Sequence, residues 1–137
     1  PSRLKGRHAD AIVAAAGPAM NIGLAASCLL LAALVDAYLP RLAGAEIADK
    51  FYLFFAAGSM LNFALALFNL VPIPPLDGSR ILASFSPAYV RFAASDVGRG
   101  VMFISLGVMF FGAGRWLFRG AAAAFTAGFG AVSGWLP

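Results

Sequence analysis

Among the polar side chains in or beside the long apolar stretches of this chain, Asn21, Asn69 and Asp77 are those whose types and placing could do chemistry. Asp77 lies in "NLVPIPPLDGSRIL", residues 69–82, where an apolar run ends in three prolines out of four residues and a carboxylate follows. Holding an ionised carboxylate at membrane depth costs about 2.5–3.5 kcal/mol at a helix centre on insertion scales, so such a group usually has a partner. A cation, a proton pathway or a metal ion would serve. Pro72, Pro74 and Pro75 fix φ and remove three backbone donors where unsatisfied N–H groups would be expensive in lipid. Gly78 permits a tight turn or a close approach directly after the aspartate. The stretch therefore reads as a stiff strut that holds Asp77 at low conformational entropy. That suits a metal ligand, which must be positioned and dehydrated before it binds. The bland alternative is a solvated interfacial carboxylate that caps a turn or pairs with Arg80.

The elements that must position these residues are set by composition. Of 137 residues, 61% are hydrophobic and 12% charged, with a mean hydropathy of +0.85. Soluble domains carry about 25% charged residues. Apolar stretches of about 20 residues, each long enough to span a bilayer, recur along the chain. An integral membrane protein is expected. The net charge is +4, but the basic residues flank the apolar runs and form no stripe with interleaved aromatics. Lipid headgroups are thus the expected partner of that charge, and nucleic acid is not. Cys28 is a lone cysteine inside an apolar run and cannot form an intrachain disulfide. "PSRLKGRHAD" at the start has no apolar signal region and reads as an internal loop, so the chain is expected to be the downstream part of something longer.

The pattern predicts an all-α, polytopic single membrane domain over 1–137. Residues 1–10 form a cytoplasmic lead-in. The run 11–39 is too long for one straight crossing, and Gly17-Pro18 is expected to break it, with Pro18 opening the spanning helix. A polar connector, 40–50, balances Arg41 and Lys50 against Glu46 and Asp49. A second span covers 51–71. The region 72–100 holds the proline strut, about two helical turns and an interfacial stretch. A third span is expected over 101–118, and the apolar segment 119–137 is left open as a fourth span, a re-entrant piece or a surface helix. Gly130 and Gly134 form a GxxxG that could serve helix packing. The positive flank of Arg3, Lys5 and Arg7 puts the start of the chain and the 72–100 region in the cytoplasm. Spans one and two then form a hairpin that sets Asn21 and Asn69 at similar depth, with Asp77 just after.

At these residues a family resemblance emerges. "FNLVPIPPLDGSRIL", 68–82, closely resembles the second motif of the site-2 protease family, the intramembrane zinc metalloproteases of peptidase family M50. "AAGPAMNIGLA", 15–25, looks like the AGPxxN segment that precedes it, and the resemblance covers about residues 1–118. It implies that Asp77 is the third protein ligand of a catalytic zinc, an oxygen donor at about 2.0–2.2 Å that leaves an open position for water. Zinc would lower the pKa of that water to about 7 and polarise the scissile carbonyl. It also implies substrate-backbone or oxyanion contacts for Asn69 and Asn21. The remaining ligands in the family are the histidines of an HExxH helix. This sequence contains no HExxH, and its one histidine, His8, lies in a charged stretch. The chain is therefore expected to carry the downstream half of a zinc site and to be inert by itself.

The resulting expectation is part of an endopeptidase that cleaves membrane-protein or peptide substrates, with Zn2+ as cofactor. The resemblance is to prokaryotic members, so the location implied is a prokaryotic cell membrane with the active-site side cytoplasmic. The alternatives are a non-catalytic scaffold or pseudoprotease that binds transmembrane helices, and a transporter piece using Asp77 as an ion site. Asn62 is read as a packing amide, Asp36 and Asp96 as solvated interfacial charges, and His8 as a loop residue.

Overall fold

The computed structural model describes residues 2–136, and of residues 2–8, 110 and 113 the backbone only. The side chains of His8, Arg3, Lys5 and Arg7 thus lie outside the described residues. Every regular element among the described residues is helical: α1 (Ser2–Ala43), α2 (Ala45–Asn69), α3 (Asp77–Phe85), α4 (Pro87–Ala94), α5 (Asp96–Val108), a π-helical turn (Met109–Ala113) and α6 (Gly114–Ser133). The all-α class is as expected. The chain divides into two compact units, Pro1–Met20 with Ala66–Leu117 and Asn21–Leu65 with Phe118–Pro137.

Three expectations about the helices are corrected. First, α1 runs without interruption through Gly17 and Pro18, starting as early as Ser2. The conformational restriction that proline imposes on its predecessor comes partly from a clash with that residue's Cβ. Glycine has none, so Gly17 accepts the α conformation. Second, the connector over 40–50 shrinks to Gly44, which adopts φ +87° and donates its N–H to the Pro40 carbonyl at 3.2 Å. A left-handed glycine closing a helix in this way is what a C-terminal stop requires. The polar residues after it are helical, and Glu46 pairs with Lys50 at 2.7 Å, one turn apart and both exposed.

Third, two helices among the described residues are long and apolar enough to cross a membrane, Ala9–Ala43 and Ala45–Asn69, and not three or four. The 101–118 run is cut differently. Ser95 caps α5 by accepting from the Gly98 N–H, which starts the helix five residues early, and after 13 residues the α-helical pattern gives way to the π-helical turn Met109–Ala113. Thirteen residues make about 20 Å, short of a hydrocarbon core of about 30 Å. α6 has 20 residues but carries Arg115 and Arg119 among glycines and alanines. Along α1 and α2, Ile12, Val13, Met20, Leu53 and Phe54 are all more than 60% exposed. An apolar surface of that kind is costly in water and free of cost in lipid.

The unit of Asn21–Leu65 and Phe118–Pro137 is built on close approach. Leu29, Ala32, Ala56 and Phe125 are its buried centre, with Tyr52, Phe55 and Phe129 packed around them. α1 and α2 run antiparallel there. The buried Ser59 hydroxyl donates to the Ala25 carbonyl at 2.9 Å, and a Cβ on Gly58 would come within 3.3 Å of Cys28 Sγ. α6 closes the group through Gly128, where a Cβ would meet Leu29 Cδ1 at 2.6 Å. The α6 glycine used for this packing is thus Gly128, whereas among the described residues nothing lies within 4 Å of a Cβ at Gly130 of the Gly130–Gly134 pair. Small residues that let backbones approach, with a hydroxyl bonded across helices, are the ordinary means of helix association in lipid.

Replacing Ser59 by alanine removes that cross-helix hydrogen bond at little change in volume. It should lower stability by about 0.6–1.7 kcal/mol, the range for such bonds in membranes. Ser59→Leu, which cannot fit a site with no exposed surface, should cost more. Reversible unfolding in bicelles checks both, and equal stability of all three proteins would refute the close-packed hairpin.

Candidate metal-ligand site

Asp77 is the first residue of α3. The chain reaches it from the end of α2 through short local bonds: Ile73 N–H to the Val71 carbonyl at 2.8 Å and Leu76 N–H to the Ile73 carbonyl at 2.9 Å. The Pro74–Pro75 peptide is cis. Leu76 precedes the helix in an extended conformation and makes no side-chain cap. Ser79 then seals the first turn twice, its N–H and its hydroxyl both donating to the Leu76 carbonyl, at 3.1 Å and 2.7 Å.

Two glycines make room for this arrangement. A Cβ at Gly78 would overlap the Leu70 carbonyl and meet the Val71 carbonyl oxygen at 2.6 Å. The first turn of α3 is therefore seated against the backbone at the end of α2, and only glycine fits. At Gly17 of α1 a Cβ would stand 2.8 Å from Asp77 Oδ2. The carboxylate lies on the bare backbone of α1, within the AGP segment. The two sequence segments that carried the family resemblance thus meet at one contact.

Neither bland use of Asp77 is realised among the described residues. Its carboxylate caps nothing, and the two ion pairs formed are Lys50–Glu46 and Arg99–Asp96, neither of which involves Arg80. Half-buried, Asp77 is left with free acceptor oxygens. Asn69, the last residue of α2, is also half-buried in the same unit and forms no side-chain hydrogen bond among the described residues. Asn21 belongs to the other unit, midway along α1, and its amide is likewise without a hydrogen bond among the described residues. Asn62, by contrast, is satisfied within its own helix, donating to the Gly58 carbonyl at 2.8 Å. Asp36 is exposed, and Asp96 is exposed and paired with Arg99.

One residue near the strut has no signature in the sequence. Tyr89 of α4 donates its phenol hydroxyl to the Pro72 carbonyl at 3.0 Å. Burial pushes its pKa above the ordinary phenol value, and an interaction with the Ser79 side chain acts in the opposite direction. Its position is fixed by the Ser86 cap, whose hydroxyl accepts the Tyr89 N–H at 3.1 Å. The signal "SPAY" announces a capped helix start with proline at its first position, though not the direction of the tyrosine.

Whether these residues suit a metal can be judged from donor type and room. A carboxylate with free lone pairs, on a stiff backbone and against a glycine, fits one ligand position. No group of three or more His, Cys, Asp or Glu side chains able to hold a metal occurs among the described residues. The fit is therefore that of a single ligand.

The sequence model of Peptidase family M50 matches residues 39–112, more than half of the chain. A protein of Bacillus subtilis (strain 168) named "Putative zinc metalloprotease YwhC" is 41% identical over 91 residues. That match covers 64% of this chain and 39% of the relative, so the chain spans well under half of the length of that protein. No solved structure matches.

The glycines at 17 and 78 should differ in what a methyl group costs at each. Gly78→Ala needs backbone to move at the α2–α3 joint and should destabilise by about 1–3 kcal/mol. Gly17→Ala meets only the end of a side chain across the contact, and the gain of up to about 1 kcal/mol in helix propensity offsets part of the Cβ clash it regains with Pro18, so it should cost less stability than Gly78→Ala while pushing the Asp77 carboxylate aside. Thermal unfolding of the two variants in detergent gives the comparison. A Gly17→Ala protein as unstable as Gly78→Ala would show that the contact at α1 is not with a yielding carboxylate.

Proposed function

Because the chain belongs to peptidase family M50, we propose that it is part of an intramembrane zinc metalloendopeptidase and supplies Asp77 as one ligand of the metal. The single observation that carries this is the carboxylate itself, half-buried on Gly17 with no hydrogen bond or ion pair among the described residues. A group so placed is stabilised when a cation arrives. The sequence holds one histidine, His8, so the histidine ligands are assigned to residues outside this chain. The full-length protein is then the functional unit, and this part is inactive alone.

Bound zinc would supply Lewis acidity for hydrolysis of a peptide bond. What the residues of this chain contribute is placement. The proline strut and Gly78 hold the carboxylate of Asp77 still, and Gly17 excludes any side chain from the face of α1 that it touches. Asn69 and Asn21 carry amides free to bond an extended peptide, which suits contacts with the backbone of an unwound substrate. Beside the strut lies an open, largely apolar recess of about 600 Å3, lined by Pro74, Pro75, Ala93, Met102 and Phe103 among others, with room for an apolar substrate side chain. The substrate class is a membrane protein or peptide, and the location a cell membrane with the site on the cytoplasmic side.

Two outcomes test the reading. Alone in detergent, the 137-residue chain should retain no zinc through gel filtration, because one carboxylate cannot hold it. In the full-length protein, Asp77→Asn keeps shape but removes the charge. It should abolish cleavage of a tagged membrane substrate and most of the bound zinc, while membrane insertion survives. Asp96→Asn should keep most activity. Near-parental cleavage and one zinc per chain in Asp77→Asn would remove Asp77 from the metal and leave the family's protease chemistry without its anchor in this chain.

A further inference from the structure

The strut that carries Asp77 has few ties of its own. Pro72, Pro74 and Pro75 have no N–H to donate, and the bonds of Ile73 and Leu76 reach back only two or three residues. Among the described residues, the hydrogen bond that reaches the strut from beyond its two adjoining helices, α2 and α3, comes from Tyr89 to the Pro72 carbonyl. The same phenol is influenced by the side chain of Ser79, which seals the turn holding Asp77. One phenol therefore holds the segment five residues before the aspartate and is close enough to be influenced by the side chain two residues after it. α4 is set for this. A single residue, Ser86, separates it from α3, and the Ser86 cap with Pro87 at the first helical position fixes Tyr89 in the first turn. A phenol is protonated at neutral pH, so the hydroxyl is a donor there.

We propose that Tyr89 is a positioning residue for Asp77: its hydroxyl clamps the Pro72–Ser79 segment so that the carboxylate is held on Gly17 before any metal binds. The clamp stands on the contacts above, and its consequence for zinc rests on the protease reading. Tyr89→Phe is the direct test, since it keeps the ring and removes the hydroxyl. In the metal-free full-length protein, amide exchange followed by mass spectrometry should quicken about three- to five-fold over residues 76–79, in keeping with loss of a net hydrogen bond of modest strength. Exchange around Ser59 in the α1–α2 hairpin should not change. In the zinc-loaded protein, release of zinc to a chelator should quicken by a similar factor, with the metal stoichiometry unchanged. Exchange at 76–79 equal to the parent would overturn the clamp, and so would a general increase that includes Ser59, which marks a merely structural residue. Faster exchange with unaltered zinc release, in a preparation where Asp77→Asn loses its zinc, would overturn the positioning role alone. If Asp77→Asn keeps its zinc, the protease reading fails instead, and the exchange measurement still decides the clamp.

Discussion

A carboxylate resting on the backbone of a helix, with no cation beside it among the described residues, sets the terms for everything around Asp77. Desolvation raises the cost of an ionised group steeply unless something compensates. The local structure shows how the group is nevertheless kept in place. Gly17 gives it a surface without a side chain. Gly78 lets the first turn of α3 sit on the carbonyls of Leu70 and Val71. The prolines remove three donors that would otherwise need partners, and the Tyr89 hydroxyl satisfies one of the carbonyls left over. Remove any of these and the carboxylate has either less room or more freedom. Under the proposed role of Asp77 such stiffness has a use, because a ligand that is ordered beforehand loses less entropy when a metal arrives.

The other compact unit answers a different demand. Lipid is as apolar as leucine, so helices there gain little from burying large side chains and more from close contact and cross-helix hydrogen bonds. The buried positions of this unit follow that logic. Ala25, Ala32 and Ala33 are at 1% exposure or less, while large apolar side chains such as Phe54 and Leu53 face outward. The aromatic residues that do turn inward form a small group, with Phe125 stacked on Phe129 at 5.6 Å and Tyr52 edge-on to Phe129 at 5.5 Å. A water-soluble domain of this size would show the reverse distribution, with large residues inside.

What could be read from the sequence follows the strength of each local signal. The helical class and the two long apolar helices were legible because a run of about 20 apolar residues has few other physical solutions. The placement of Asp77 at a helix start behind an extended proline segment was legible from Pro72, Pro74, Pro75 and Gly78. The continuity of α1 was not, because proline alone argues for a break and the relief supplied by Gly17 is a pair effect. Nor was the division of 101–118. The Ser95 cap sets the start of α5, and the π-helical turn at Met109–Ala113 has no residue signature that an apolar run would reveal. Gly128 and Tyr89 were hidden for a shared reason: which way a side chain points depends on tertiary packing, and their spacing announces nothing. Gly17 was read only as a helix breaker, though its place directly before proline in the AGP segment was the available clue to a close approach.

The treatment of charge elsewhere in the chain sharpens the meaning of Asp77. Glu46 has a lysine one turn on and pairs with it, and Asp96 has an arginine three residues on and pairs with it. Both pairs are exposed, where such bridges contribute little to stability. Asp77 also has an arginine three residues on, Arg80, at the same spacing as Asp96 and Arg99. Yet no bridge forms, and the aspartate turns to Gly17. Helical spacing alone would have allowed the pair, so what differs is the seating of the first turn of α3. Gly78 packs that turn onto the end of α2, and Ser79 closes it on Leu76. The seating directs the carboxylate inward at the position where pairing would have been easiest. A residue kept single against a local opportunity to pair has its oxygens available for a ligand, and this is the ground on which the proposed metal-ligand role of Asp77 stands.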